Sequence, residues 1–310
     1  MANVDEHGVR TVLEHGDGWK WVFLTTTGAL RREFSAMGLE HGEDGYAEIR
    51  RQGPGSGYRS LRDPQGRPQF AVLAQGYGKP FPTDAVNREG VKPWEFISRL
   101  TGLFEAEGLH LVRGIPPAPF GFARIDGKLT PLNQALDLIR AGSATNDLDL
   151  SGIDCRDLPR KISVKGRLDL SHCMNGDDLP DGIRAGGDLL LTRSHITRTP
   201  SNLRVRGMLS LGGCGGLVSV SHGLKVGGML ELSGCRLLRE LPAGLSVGGT
   251  LDLSDCESME SLPEGLRVGG DLWLFKSHTL RALPEDMEVK GTIFDRDDLL
   301  RPGSGREQRI

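Results

Sequence analysis

Aromatic residues are sparse, at 5% of 310, and the charges nearly cancel, to −3. So few aromatics exclude an ordinary mixed core through much of the chain and point to one built from leucine and valine. The near-neutral balance argues against bulk, sequence-blind nucleic-acid binding and leaves only a local patch open. No apolar run approaches the ~18–20 residues of a membrane span. The opening MANVDEHGVR is polar and acidic, with no secretory leader, so the cytoplasm is the expected compartment. Cysteine is limited to Cys155, Cys173, Cys214, Cys235 and Cys256, with no C-x-x-C pair. An odd count without a leader speaks against a disulfide framework and for reduced thiols.

The usual catalytic motifs are missing as well. GFARIDGKL has one residue too many for a phosphate loop and a Leu after the Lys, and no H-E-x-x-H, G-x-S-x-G or G-x-G-x-x-G occurs. Ser171-His172-Cys173 brings a nucleophile next to a base, but alternation turns Cys173 inward and His172 outward. His195 and His278 share a coil position four coils apart, and Asp177/Asp178 and Asp297/Asp298 read as solvated loop charges. No catalytic residue, cofactor or metal is expected, and the chain reads as non-enzymatic; an active site in the first 128 residues is the remaining enzymatic alternative.

What the chain does have is a repeat. The doublet L-x-L recurs at Leu148/Leu150, Leu168/Leu170, Leu189/Leu191, Leu209/Leu211, Leu230/Leu232, Leu251/Leu253 and Leu272/Leu274, in steps of 20, 21, 20, 21, 21 and 21 residues. An eighth copy starts at Ile293 and breaks at Asp295. Alternation over three residues predicts a short strand with one buried face. A second alternating unit, such as Leu224/Val226, Leu245/Val247 and Leu266/Val268, precedes most doublets, joined to them by Gly-Gly or Lys-Gly. Glycine there either takes positive φ or permits a corner too tight for a Cβ. A 20-residue unit cannot bury an apolar face alone, whereas stacked copies can. Cys173, Cys214, Cys235 and Cys256 each fall five residues after the first Leu of their coil, where Ser194 and Ser277 stand in others, which predicts a buried ladder of small side chains.

The runs LDLSHC, LSLGGC, LELSGC and LDLSDC resemble the leucine-rich repeat, which implies a solenoid. They depart from it in the Val-Gly-Gly corner and in lacking a convex-side helix. The run LPEGLRVGGDLWL is similar to runs in proteins of phages and bacterial mobile elements, and that likeness implies a bacterial host. Ser60, Leu61, Arg62, Asp63, Gly66, Arg67, Pro68, Gln75, Gly78 and Lys79 loosely resemble a stretch of PcfJ-like proteins, with Gln69 where that stretch has His.

The non-repeating part predicts a strand at 18–26, a helix at 27–37 with Thr27 as cap and Gly38 as stop, a hairpin at 57–76 turning on Asp63-Pro64-Gln65-Gly66, and an amphipathic helix at 92–108. Residues 114–122 read as a connector and 130–142 as a helix capping the first coil. The expected organisation is an α/β domain at 1–128, a capping helix and linker at 129–147, a β-rich leucine-rich-repeat-like solenoid at 148–295, and a tail at 296–310.

The solenoid's outward columns carry the functional expectation. One reads Asp149, Asp169, Leu190, Ser210, Glu231, Asp252, Trp273, Phe294, acidic and then aromatic, with Met229 and Phe275 beside it. The other reads Ser163, Arg184, Arg204, Lys225, Ser246, Arg267, Glu288, with Lys165, Arg206 and Lys290 nearby. Trp273, Phe275 and Phe294 are expected to anchor a protein partner, with Asp252, Glu231 and Met229 alongside, unless the tail's Leu299 and Leu300 cover them. A factor that binds and modulates a bacterial protein, including a defence protein, is the leading expectation. The alternative is nucleic-acid binding by Arg184, Arg204, Lys225 and Arg267.

Overall fold

The computed structural model describes residues 4–5, 7–39, 56–75, 81–87, 92–107, 109, 116–143, 145–175, 179–277 and 279–295. The chain divides into two compact units, Met1–Phe122 with Pro131–Asn133, and Ala123–Thr130 with Gln134–Ile310.

The first unit is a five-stranded antiparallel meander of β1 (Val9–Glu14), β2 (Lys20–Leu24), β3 (Gly57–Arg62), β4 (Pro68–Gln75) and β5 (Phe81–Asn87), in sequential order. Period-2 alternation sorts its side chains onto two faces. Val22, Leu24, Tyr58, Ala71 and Leu73 pack with Leu30, Phe34 and Met37 of helix α1 (Thr27–Met37). Trp21, Leu61, Phe70 and Val72 pack with Leu100 and Leu103 of helix α2 (Ile97–Glu107). Helix α1 is capped by Thr26 rather than Thr27: the Thr26 hydroxyl accepts the Ala29 amide, and Gly38 closes the helix at φ 76°. A 3-10 turn, Pro93–Phe96, leads into α2. Within the expected connector at 114–122, Phe120 and Phe122 are buried in the α2 cluster, while residues 114–115 lie outside the described residues.

The second unit is a β-solenoid of coils of about 21 residues, and no helix lies within its coils among the described residues apart from a single 3-10 turn at Cys155–Asp157. Leu148, Leu168, Leu189, Leu209, Leu230, Leu251, Leu272 and Ile293 pair in parallel register as one ladder. The eighth strand therefore forms despite Asp295, with Ile293 half-buried. Val164, Ala185, Val205, Val226, Val247, Val268 and Val289 line up as a second ladder. The third side of the coil has only isolated bridges among the described residues, such as Arg198 to Ser219 and Ser219 to Glu240. Both ladders keep register through the shorter coils because the missing residue comes out of that third side. Leu203 follows Ser194 by nine residues, whereas Leu245 follows Cys235 by ten.

At its N-terminal edge the leucine ladder is joined by a hairpin, β6 (Phe122–Ile125) and β7 (Lys128–Pro131). β6 pairs antiparallel with the first coil, Arg124 against Asp149 and Ile125 against Leu148. Its corner is Asp126-Gly127, at φ 50° and 80°, the geometry of a two-residue primed turn. Ala123, at the start of this hairpin, is where the second unit begins, ahead of helix α3 (Leu132–Arg140), which buries Ala135, Leu136 and Ile139.

The corner glycines serve close approach rather than unusual φ. The second glycine recurs at Gly166, Gly187, Gly207, Gly228, Gly249, Gly270 and Gly291, none at positive φ. Each amide from Gly187 onward donates to the glycine carbonyl one coil back, at 2.8–3.0 Å. A Cβ on Gly228 would meet the Gly207 carbonyl carbon at 2.8 Å, so a side chain would push the coils apart. Positive φ belongs to other slots: one immediately before the Cys/Ser rung, at His172, Arg193, Gly213, Gly234, Asp255 and Lys276, with Gly152 at the matching place in the first coil, and one at Asn202, Gly223, Gly244 and Gly265.

Candidate functional site

Strand pairing sets Trp273 beside Asp252 on one side and Phe294 on the other, on the solvent side of the leucine ladder. The Phe275 and Phe294 rings lie 6.3 Å apart and tilted by 47°. Phe294 is 40% exposed, while Trp273 and Phe275 are half-buried. The three expected anchors thus form one cluster at the last coils, with Met229 half-buried two coils earlier.

The acidic column is less available than alternation suggests. Asp252 is 7% exposed and Ser210 is 2% exposed. Asp149, Asp169 and Asp252 each accept the amide two residues on, from Ser151, Ser171 and Ser254, and so close the turn after their own strand. Asp149 also receives Arg124 at 3.0 Å. Glu231 accepts the Ser210 hydroxyl at 2.5 Å and the Ser233 hydroxyl at 3.3 Å. These carboxylates hold the face together, and Glu231, half-exposed, is the one beside the patch that still meets solvent.

The cysteines form rungs. Cys214, Cys235 and Cys256 donate their thiols to the second-leucine carbonyl of the preceding coil, Leu191, Leu211 and Leu232, at 3.0–3.3 Å. Ser194 and Ser277 make the same bond with hydroxyls to Leu170 and Leu253. Burial pushes the Cys214 thiol up to about 11 and the Cys256 thiol up to about 12. All five cysteines are free, and no group of three or more His, Cys, Asp or Glu among the described residues could hold a metal ion. His172 and His195 are exposed on separate coils, whereas His278, Asp177, Asp178, Asp297, Asp298 and the tail lie outside the described residues.

No protein-family model, no curated protein and no solved structure matches the chain. The Ser60-to-Pro68 stretch is engaged in folding. Arg62 makes two bonds to the buried Glu33, and Asp63 accepts the Gln65 and Arg67 amides and the Arg67 side chain. Burial raises the Asp63 pKa, but those bonds outweigh it and hold the carboxyl below its usual range. No described helix is long and apolar enough to cross a membrane.

Arg184, Arg204, Lys225 and Arg267 are all exposed on the valine ladder. Arg267 pairs with Glu288 at 3.6 Å and is set apart from the others by Ser246. The other three are joined by Lys165 and Arg206, and by Lys161 at the strand's first position, which the column of alternate residues left out.

Proposed function

We propose that this protein is a non-enzymatic binding module that captures another protein through the aromatic end of its leucine ladder. One observation carries the reading: Trp273, Phe275 and Phe294 gather on the solvent side of a strand face whose earlier coils hold Asp, Ser and Glu there, with Leu190 the one apolar exception. Partly desolvated aromatics at one end of a polar surface supply anchor area, and neighbouring charge such as Glu231 sets orientation and on-rate. The likeness of the L-P-x-G-L-x-V-G-G runs to those of phage and mobile-element proteins supports a bacterial partner, a defence protein among the candidates.

The test is Phe294→Asp together with Trp273→Ala, assayed by capture from a bacterial lysate and by urea unfolding. The expected result is loss of the captured protein with stability kept to within about 1 kcal/mol. Collapse of stability would make the aromatics core and overturn the reading. A chain ending at Asp295 addresses the tail: stronger capture on truncation would mean that the tail competes for the patch.

A further inference from the structure

We propose that the valine ladder carries a second, independent surface, built for the phosphate backbone of double-stranded nucleic acid. It rests on Lys161, Lys165, Arg184, Arg204, Arg206 and Lys225, all exposed and all within four consecutive coils. None of the six makes an ion pair with a described residue, in contrast to Arg267, Arg236, Lys276 and Arg281 in later coils, each bonded to a carboxylate.

The stacking makes this unusual. Arg204 and Lys225 are direct ladder partners, and Arg184 sits beside Arg204 because Ala185 pairs with Val205. Coils of a parallel ladder lie about 4.8 Å apart, and like charges directly opposite one another destabilise a sheet. A column of unpaired cations at that spacing is a standing cost unless a dense anion offsets it. Residues two apart on a strand lie about 6.6 Å apart, so the six charges cover a patch on the order of 14 by 13 Å.

The surroundings select the anion. A groove of 740 Å³ opens on this face, lined by Arg204, Arg206 and Lys225 together with Gly223, Gly227 and Gly244. At those glycines no side chain holds an approaching backbone away, while Pro242, Ala243 and Ser246 also line the groove. No aromatic residue stands in the outward positions of these strands, so nothing offers a stacking platform for bases. The occupant therefore presents phosphates outward and keeps its bases inside, which describes a duplex. A charge every ~1.7 Å of duplex axis matches an undiluted cation array; an acidic protein surface mixes its carboxylates with cations and matches it less well.

Fluorescence anisotropy of the full chain with a labelled 20-base-pair duplex, its single strand and polyglutamate, across a salt series, tests the inference. The duplex is expected to bind tightest. Four to six phosphate contacts predict a log–log salt slope of about −4 to −5 and a loss on the order of 10²–10³-fold between 50 and 200 mM salt. The variant Arg184→Glu/Arg204→Glu/Lys225→Glu, verified as folded by circular dichroism, should abolish binding, and Arg184→Gln/Arg204→Gln should flatten the slope by about 2. Arg267→Glu should leave binding unchanged. Equal or tighter binding of the single strand or of polyglutamate, or duplex binding that survives the triple reversal, would overturn the proposal.

Discussion

Replacing Gly249 with alanine isolates the steric demand of coil stacking from the conformational demand of turns. Gly249 is not at positive φ, so alanine's backbone preference costs little there. The added Cβ would meet Gly228 C at 2.8 Å, Gly228 O at 3.0 Å and Met229 N at 3.0 Å, all main chain. The coils would have to separate, weakening the bond from Gly249 to the Gly228 carbonyl at 2.9 Å and that from Gly270 to the Gly249 carbonyl at 3.0 Å. Two such bonds at about 1 kcal/mol each, plus ~1–3 kcal/mol of overpacking, are offset by up to ~1 kcal/mol from alanine's stiffer unfolded chain. The net loss is about 2–5 kcal/mol. Gly244 is the control, with φ +66° and nothing within 4 Å of the point where a Cβ would stand. Gly244→Ala therefore meets only left-handed strain, about 1 kcal/mol, and Gly244→Asn less, since Asn202 holds the equivalent slot at φ 55°. Urea midpoints of the full chain by far-UV circular dichroism give the comparison. If Gly249→Ala proves no worse than Gly244→Ala, the close-packing argument is wrong.

Other predictions concern single slots. Arg193→Gly should raise stability by about 0.5–1 kcal/mol by relieving a left-handed arginine; a lower urea midpoint would refute the strain. Asp252→Ala should cost about 1 kcal/mol through loss of the Ser254 amide's acceptor, while Asp252→Asn should be nearly neutral; equal losses would argue for a charge role instead. For the thiols the sign follows from their raised pKa: the folded state favours the protonated form, so stability is intact below the ordinary thiol value of 9.0 and lost as pH climbs from there towards about 12. Each thiol shifted this way should remove roughly 1 kcal/mol between pH 8 and 10. Cys214→Ser/Cys256→Ser should flatten that decline, and an unchanged alkaline slope would show that other groups govern it.

Much of the solenoid was legible because its signal is cumulative: one L-x-L is ambiguous, seven at a fixed period are not. Burial of Cys173 and its successors followed from the same arithmetic. Features set by a single contact were harder to see. Asp126-Gly127 is a strong hairpin dipeptide, yet it attracts attention first as a failed phosphate loop. Phe120 and Phe122 sit in a proline-rich run with no periodicity, so nothing local announces that they fill a core. The acidic column looked solvent-facing because alternation fixes which side of a strand a residue lies on. It says nothing of neighbours one coil away or of a carboxylate folding back on its own turn, and both shield Asp252. Among the cations, alternation picked out Arg204 and Lys225, but which ones lack a partner could be read only from three-dimensional contacts.

The third side of each coil has a consequence of its own. Two ladders locked by parallel register tolerate no slip, yet the path from Ser194 to Leu203 is one residue shorter than that from Cys235 to Leu245, and neither ladder shifts. With only isolated bridges to satisfy among the described residues, that side acts as a length reservoir. It is where a coil can gain or lose residues, accept a tag or an inserted loop, and still present the same column of side chains to whatever reads the other two sides.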